Sequence, residues 1–382
     1  MQRYLRQILI GALLASSGVR AQSAKPEDAL AFEQQQKWPE AVQVWKAVTA
    51  RNPNDAAAFA ALGVDLSRLQ KYDEAAVAYR KALRLDPHLP GIRFNLGLAE
   101  FKLGHFAPAS VAFQAVLAAD PSNGQARTLL GMSYYAQKKF ELAVQQLEPA
   151  SKSDPENAEL HQMLAESCLS AKKLECAKEQ FRQLLSRNPE SAPTHVLMGQ
   201  ALDGLGQTKE AIVEFQAAAK ISPNEPNVHF GLGYLYWKSQ QYDEARQEFE
   251  SELASDSRHA QALAYLGDIE WKANHPEAAL ALLKRSMAVQ KNLRIVYTDL
   301  GAIYMQQKNY KDAESALLRA VALDPDQPDA HYQLGRLYQA LGNPAAAEKE
   351  LHKVQELHKK AEDSPVGKIP SSPPASNPSE AK

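Results

Sequence analysis

The sequence predicts an all-α solenoid of stacked helical hairpins, and three observations carry that reading. Written from Gln22 in rows of 34, the chain fills ten rows to Ala361 without an insertion or deletion. Each row holds two stretches of helical periodicity separated by a short break. Rows also end alike, with proline at the thirty-second column in seven of the ten. A fixed period of this length marks an array of small units, each unable to bury its apolar face alone, so that neighbours must stack.

The columns have a steric logic. Column 20 is alanine in every row, from Ala41 through Ala75 and Ala109 to Ala347. Column 8 holds only the two smallest residues, as at Ala29, Gly63, Gly97 and Gly301. Two small residues facing each other let the helices of a hairpin approach closely. Column 24 is large and apolar throughout (Trp45, Tyr79, Phe113, Leu317) and fills the space beside that contact. The stretch Asn95 to Leu103 reads as a first helix and Ala107 to Ala119 as a second, with Gly104 and His105 turning between them. Proline at column 32, as in Pro87 and Pro121, disfavours helix in the residue before it and closes the row.

These residues resemble the tetratricopeptide repeat family. The resemblance rests on Phe59 to Pro87, Phe230 to Glu250 and Asp299 to Pro325, and it extends over all ten rows: 22–55, 56–89, 90–123, 124–157, 158–191, 192–225, 226–259, 260–293, 294–327 and 328–361. It implies a right-handed superhelix of antiparallel helix pairs, the first helix of each pair lining a concave groove. Members of the family serve chiefly as protein–protein interaction scaffolds. Row 1 departs from the pattern with Asp28 where other rows carry leucine or methionine, and rows 7 and 8 lose the closing proline to Ser257 and Lys291. Those two turns are expected to be altered, or softer joints. The last second helix reads as a polar-faced cap over Asn343 to Lys360.

Both ends differ from the array. Arg3 and Arg6 precede the apolar run Ile8 to Ala15, and small residues follow, with a cleavage position after Ala21. That is the layout of a secretory signal peptide over residues 1–21. The run is too short for a membrane span, which takes about 20 apolar residues. The sequence therefore predicts an exported protein, periplasmic or secreted, with no membrane span in the mature chain. Residues 362–382 are rich in proline and serine, without periodicity, and read as a disordered tail.

The chain has 43 basic and 45 acidic residues in 382, with no block of like charge. Nucleic-acid binding needs a concentrated basic face, so it is excluded as a reading. No phosphate-cradling loop, nucleophile elbow, His-Glu-x-x-His or Cys-x-x-Cys motif occurs, and column 8 accounts for eight of the eighteen glycines. No catalytic residues, no metal and no cofactor are assigned, and the chain is read as not an enzyme. His161, His195, His229 and His331 all fall at column 4, where the repeat pattern places a packing residue. Helices pack about 8–10 Å apart, too far for one zinc ion to take ligands from neighbouring rows at about 2 Å.

The resemblance places groove-facing side chains mainly at columns 2, 5, 9, 12 and 13. Two aromatic groups fall there: Phe94, Leu98, Phe101, Met132 and Tyr135 in rows 3 and 4, and Phe230, Tyr234, Trp237 and Trp271 in rows 7 and 8, beside Lys238 and Lys272. Aromatic anchors with a basic neighbour suit capture of an apolar or acidic segment of a protein partner. The carboxylate clamp of chaperone-binding relatives is missing, since Asn95 has Ala60, Val64, Gln125 and Leu129 where the clamp needs polar groups. Tryptophans also stack on sugars, which leaves binding of polysaccharide or cell-wall polymer as the alternative. Cys168 and Cys176, the two cysteines of the chain, sit at columns 11 and 19, on opposite sides of one hairpin turn. They are expected either as a structural disulfide, which export would preserve, or as two buried thiols.

Overall fold

The structure, a computed structural model, describes residues 24–363, the last three by backbone alone. The expected signal peptide lies outside these residues, as does nearly all of the expected tail. The described residues form two compact units, 24–167 and 168–363. The first contains α1 (Pro26–Gln34), α2 (Trp38–Arg51), α3 (Ala56–Arg68), α4 (Tyr72–Leu85), α5 (Ile92–Lys102), α6 (Phe106–Ala119), α7 (Gly124–Ala136), α8 (Phe140–Ser153) and most of α9 (Ala158–Ser170). The second takes the end of α9 and continues with α10 (Leu174–Arg187), α11 (Ala192–Gly204), α12 (Thr208–Ile221), α13 (Val228–Lys238) and α14 (Tyr242–Ser255). It is completed by α15 (Ala260–Lys272), α16 (Pro276–Val289), α17 (Arg294–Gln306), α18 (Tyr310–Leu323), α19 (Pro328–Ala340) and α20 (Pro344–Asp363). No strand occurs among the described residues, and each row holds one helix pair.

The hairpin turn is built the same way ten times. Column 15 is left-handed in every row, at Gln36, Gln70, Gly104, Lys138, Lys172, Gly206, Gln240, Asn274, Lys308 and Gly342, with φ between 56° and 74°. That single residue reverses the chain after the first helix. At the second row the Lys71 N–H reaches back to the Leu66 carbonyl at 2.9 Å and Gln70 N–H to Ser67 at 3.0 Å, the paired bonds of a Schellman ending. Seven of the ten residues are not glycine and carry the cost of a Cβ in the left-handed region.

Small residues then set the hairpin spacing. The column-20 alanines are buried, nine of them with 0% exposure. A Cβ added at Gly301 would lie 2.5 Å from the Leu317 side chain, which is itself fully buried. The close approach and the large column-24 residue are thus one packing unit. Successive helices meet from α1 to α8 and from α10 to α20 within their units, and first helices of adjacent rows also touch. These are α3 with α5 and α5 with α7 in the first unit, and α11, α13, α15, α17 and α19 in sequence in the second. The odd-numbered helices therefore form the inner face of each stack.

Two rows put an acid where others put tyrosine. Glu100 and Glu270, at column 11, are 1% and 8% exposed. Each is paired with an arginine from the preceding row's second helix, Arg80 or Arg246. Each also meets the histidine opening its own second helix, His105 at 3.0 Å or His275 at 2.8 Å. A buried carboxylate demands such partners. Where Ser257 replaces the closing proline, the turn keeps the polar bonds that the proline-bearing turns also make. Asp256 accepts from the Arg258 N–H at 3.0 Å, and His259 Nδ1 accepts from Ala262 N–H at 3.1 Å to cap α15.

Candidate partner-binding face

The column-4 histidines are clamps within the stack. His195, His229 and His331 each place Nδ1 2.6 Å from a glutamate on the second helix of the same row: Glu214, Glu248 and Glu350. Nε2 of His161, His195 and His331 lies 3.0–3.2 Å from the carbonyl of the preceding proline, Pro155, Pro189 or Pro325. Three of the rings thereby tie a first helix to the turn before it, and three tie it to the helix after it. No group of three or more metal-ligating side chains occurs among the described residues.

In the first unit the expected groove residues are dispersed. Phe94 meets Phe113 edge-on at 5.7 Å, Phe101 meets Phe106 at 5.5 Å and Tyr135 meets Phe140 at 6.3 Å. Each aromatic is therefore spent on its own hairpin, and the three rings do not contact one another. The Tyr135 hydroxyl donates to Glu166 of the next row, and that bond pushes it up to about 12. Leu98 lines a cavity of about 280 Å³ with Val64, Arg68, Asn95 and Lys102. Met132 is half-buried.

The second unit does gather its aromatics. Phe230, Tyr234 and Trp237 rise along α13 on one face, with Phe230 and Tyr234 stacked at 6.4 Å and Tyr234 and Trp237 at 6.1 Å. Tyr265 of α15 stands against all three, at 6.1, 5.5 and 4.8 Å. It was not among the expected residues because it occupies column 6, which the groove columns omit. Phe249 closes the cluster from behind, stacked on Tyr265 at 5.7 Å. Burial holds the Tyr265 and Tyr234 hydroxyls above their ordinary range, so both stay neutral.

Polar groups edge this cluster. Trp237 Nε1 donates to Asp268 of the next row at 2.5 Å, and Lys272, one turn on from Asp268, pairs with the same carboxylate oxygen. The Lys272 ammonium lies 5.1 Å from the Trp237 ring centre and 5.5 Å from that of Tyr242. Burial works against its charge, yet Asp268 more than compensates and keeps the ammonium above the ordinary lysine range. Lys238 turns away to Asp203 at 2.7 Å. Trp271 joins the next cluster instead, packed against a core that includes Leu283, Val296 and Leu300. The expected tryptophan pair is thus split between two clusters, and Tyr265 takes the place beside Trp237.

The two cysteines lie inside the second unit. Cys168 and Cys176 are joined as a disulfide, with Cα atoms 5.8 Å apart. Cys168 is fully buried. The bridge spans the row-5 hairpin turn, from the end of α9 to the first turn of α10.

Sequence-family profiles match along most of the described chain. One described as TPR repeat covers 66–104, 199–240 and 301–342. Others described as tetratricopeptide repeat cover 109–167 and 134–201, 230–288, and 328–360. No curated protein matches the chain. Among solved structures, the APC/C hetero-tetramer Cut9–Hcn1 is similar over 87% of this chain and 80% of its own, at 15% identity and a TM-score of 0.53. Yeast Tom70 aligns over 87% and 91% at 13% identity with a TM-score of 0.39. YrrB, described as a TPR protein with an unusual peptide-binding site, aligns over 50% and 97% at 22% identity with a TM-score of 0.37.

Proposed function

Since the chain belongs to the tetratricopeptide-repeat proteins, scaffolds that bind protein or peptide partners, we propose that it captures a segment of another protein on the inner face of its second unit. One observation carries this reading: four half-buried aromatic side chains, Phe230, Tyr234, Trp237 and Tyr265, converge on that face with charged groups at their edge. Apolar anchors inside a polar margin are the arrangement that supplies affinity and register in protein recognition. The mechanism is recognition alone, with no chemical step.

The polymer alternative is weaker on a specific ground. A sugar needs an open indole face, whereas the Trp237 ring already meets Tyr234 at 6.1 Å and the Lys272 ammonium at 5.1 Å. Export to an oxidising compartment is part of the proposal. The amino-terminal pattern supports it, and so does the Cys168–Cys176 bridge, since disulfides persist outside the cytosol.

A photo-crosslinking residue at Tyr234 in the full chain, with one at the outward-facing Val111 as control, tests the reading. The expected result is a discrete adduct from Tyr234 only, lost when Trp237→Ala is added. An identical adduct from both positions would refute inner-face capture.

A further inference from the structure

Asp299 on α17 is 7% exposed, and its Oδ2 has no hydrogen-bond partner among the described residues. A buried oxygen without a donor is a costly vacancy in the bonding pattern. The groups around it are charged. Asp268 and Lys272 of α15 and Asp329 of α19 act on it electrostatically, as does Arg294 of its own helix. Tyr265 of α15 lies within electrostatic reach as well.

The charges do not balance evenly. Asp268 is paired with Lys272, and Arg294 with Asp329. Each cation is thus committed to another carboxylate, and Asp299 is left without one. Burial first, and the neighbouring Asp268 second, hold the Asp299 carboxyl well above the ordinary carboxylate range. The chain itself shows what this surface accepts. Lys272 places an ammonium over the Trp237 and Tyr242 rings with Asp268 as counter-ion. Aromatic faces beside a carboxylate form a cation site.

We propose that this part of the second unit's inner face is a binding site for a cationic side chain, the ammonium of a lysine or the guanidinium of an arginine in the partner segment, received by Asp299. The proposal rests on the inner-face reading above and names the chemistry of its partner. An anionic residue would meet Asp268, Asp299 and Asp329 together. An apolar one would leave Oδ2 as it is. A cation supplies the missing donor, and any proton the carboxyl holds passes to the solvent as the cation arrives. Lys272, its side chain about a third exposed, borders the site.

The test uses the full chain and two labelled, amidated peptides of alanine, serine and leucine, one with a central lysine and one with norleucine in its place. Fluorescence anisotropy is expected to show the lysine peptide binding at least about tenfold more tightly. That advantage is expected to vanish in Asp299→Asn, which keeps the shape and removes the charge. It is also expected to grow with rising pH in the parent and stay flat in the variant. Lys272→Met, which removes the resident ammonium, is expected to bind the lysine peptide more tightly still. Circular dichroism confirms that each variant is folded. Equal binding of the two peptides, with both lost in Tyr234→Ala, overturns the cation site and leaves inner-face capture standing. A lysine preference that survives Asp299→Asn overturns it as well.

Discussion

The first repeat is held to the second across a buried carboxyl, and this gives the amino-terminal hairpin a pH dependence with a calculable sign. Asp65 on α3 is 1% exposed and its Oδ2 is unpartnered among the described residues. Glu33 on α1 faces it, and Trp45 Nε1 on α2 donates to Glu33 at 2.8 Å. Burial, then the Glu33 carboxylate, push Asp65 up to about 7, against Arg68, which pulls it down. The folded chain therefore holds this proton more tightly than the unfolded chain does. Its contribution to stability is complete below the ordinary carboxylate value and is lost as pH rises toward 7.

A rise of about three pH units at 1.36 kcal/mol each sets a ceiling near 4 kcal/mol. Asp65 and Glu33 act as a pair, and Arg68 offsets part of the repulsion, so about 1–2 kcal/mol is the working expectation, a factor of 5–30 in local opening. Asp65→Asn keeps a permanent donor toward Glu33 and removes the titrating charge. Hydrogen exchange of the α1 and α2 amides, corrected for intrinsic rate, reads this directly. In the parent, protection of residues 26–51 is expected to fall by that factor between about pH 4 and pH 7. In the variant it is expected to stay level and to exceed the parent's at the upper end. A variant that loses protection as steeply as the parent, or that is less protected at about pH 7, would refute the reasoning.

Other substitutions test the packing logic. Arg80→Met leaves the buried Glu100 with His105 alone and is expected to cost about 1–3 kcal/mol, while the double change with Glu100→Met recovers most of it; urea denaturation of both would show this. Gln70→Gly relieves a left-handed residue and is expected to raise stability by about 0.5–1 kcal/mol, as a shift in urea midpoint. Gly301→Ala forces a Cβ to within 2.5 Å of Leu317 and is expected to cost about 1–3 kcal/mol by the same measurement. Replacing Cys168 and Cys176 by alanine together is expected to cost about 2–3 kcal/mol, visible as faster exchange confined to α9 and α10.

The repeat frame could be read from residues alone because its rule is local and iterated ten times. Alanine at column 20, a small residue at column 8 and a large one at column 24 describe contacts inside one hairpin, and one hairpin is contiguous in sequence. The left-handed column 15 was harder to see. Glutamine, lysine and asparagine fill seven of its ten positions and glycine three, because the surrounding hairpin over-determines the backbone there. Charges were harder again. Glu100 and Glu270 look like solvated helix residues until Arg80 and Arg246 arrive from the row before.

The site residues follow the same division, and the part that was missed obeys a rule of its own. Tyr135 reaches Glu166 and Trp237 reaches Asp268 by the same step of 31 residues, from column 12 of one row to column 9 of the next. Column 12 therefore has to be read together with the following column 9, never by itself. An aromatic donor over an acid is a fixed, internally satisfied pair, and this is why Trp237 presents its ring while its N–H is spent. Trp271 lacks that option, since Ala302 stands at the matching position, and it packs into the next cluster. Asp299 stands one helix beyond the Trp237–Asp268 pair, where the neighbouring cations are already committed. A single acid more than the stack can neutralise is a poor device for stability, and its placement beside the gathered aromatics makes binding the better account of it.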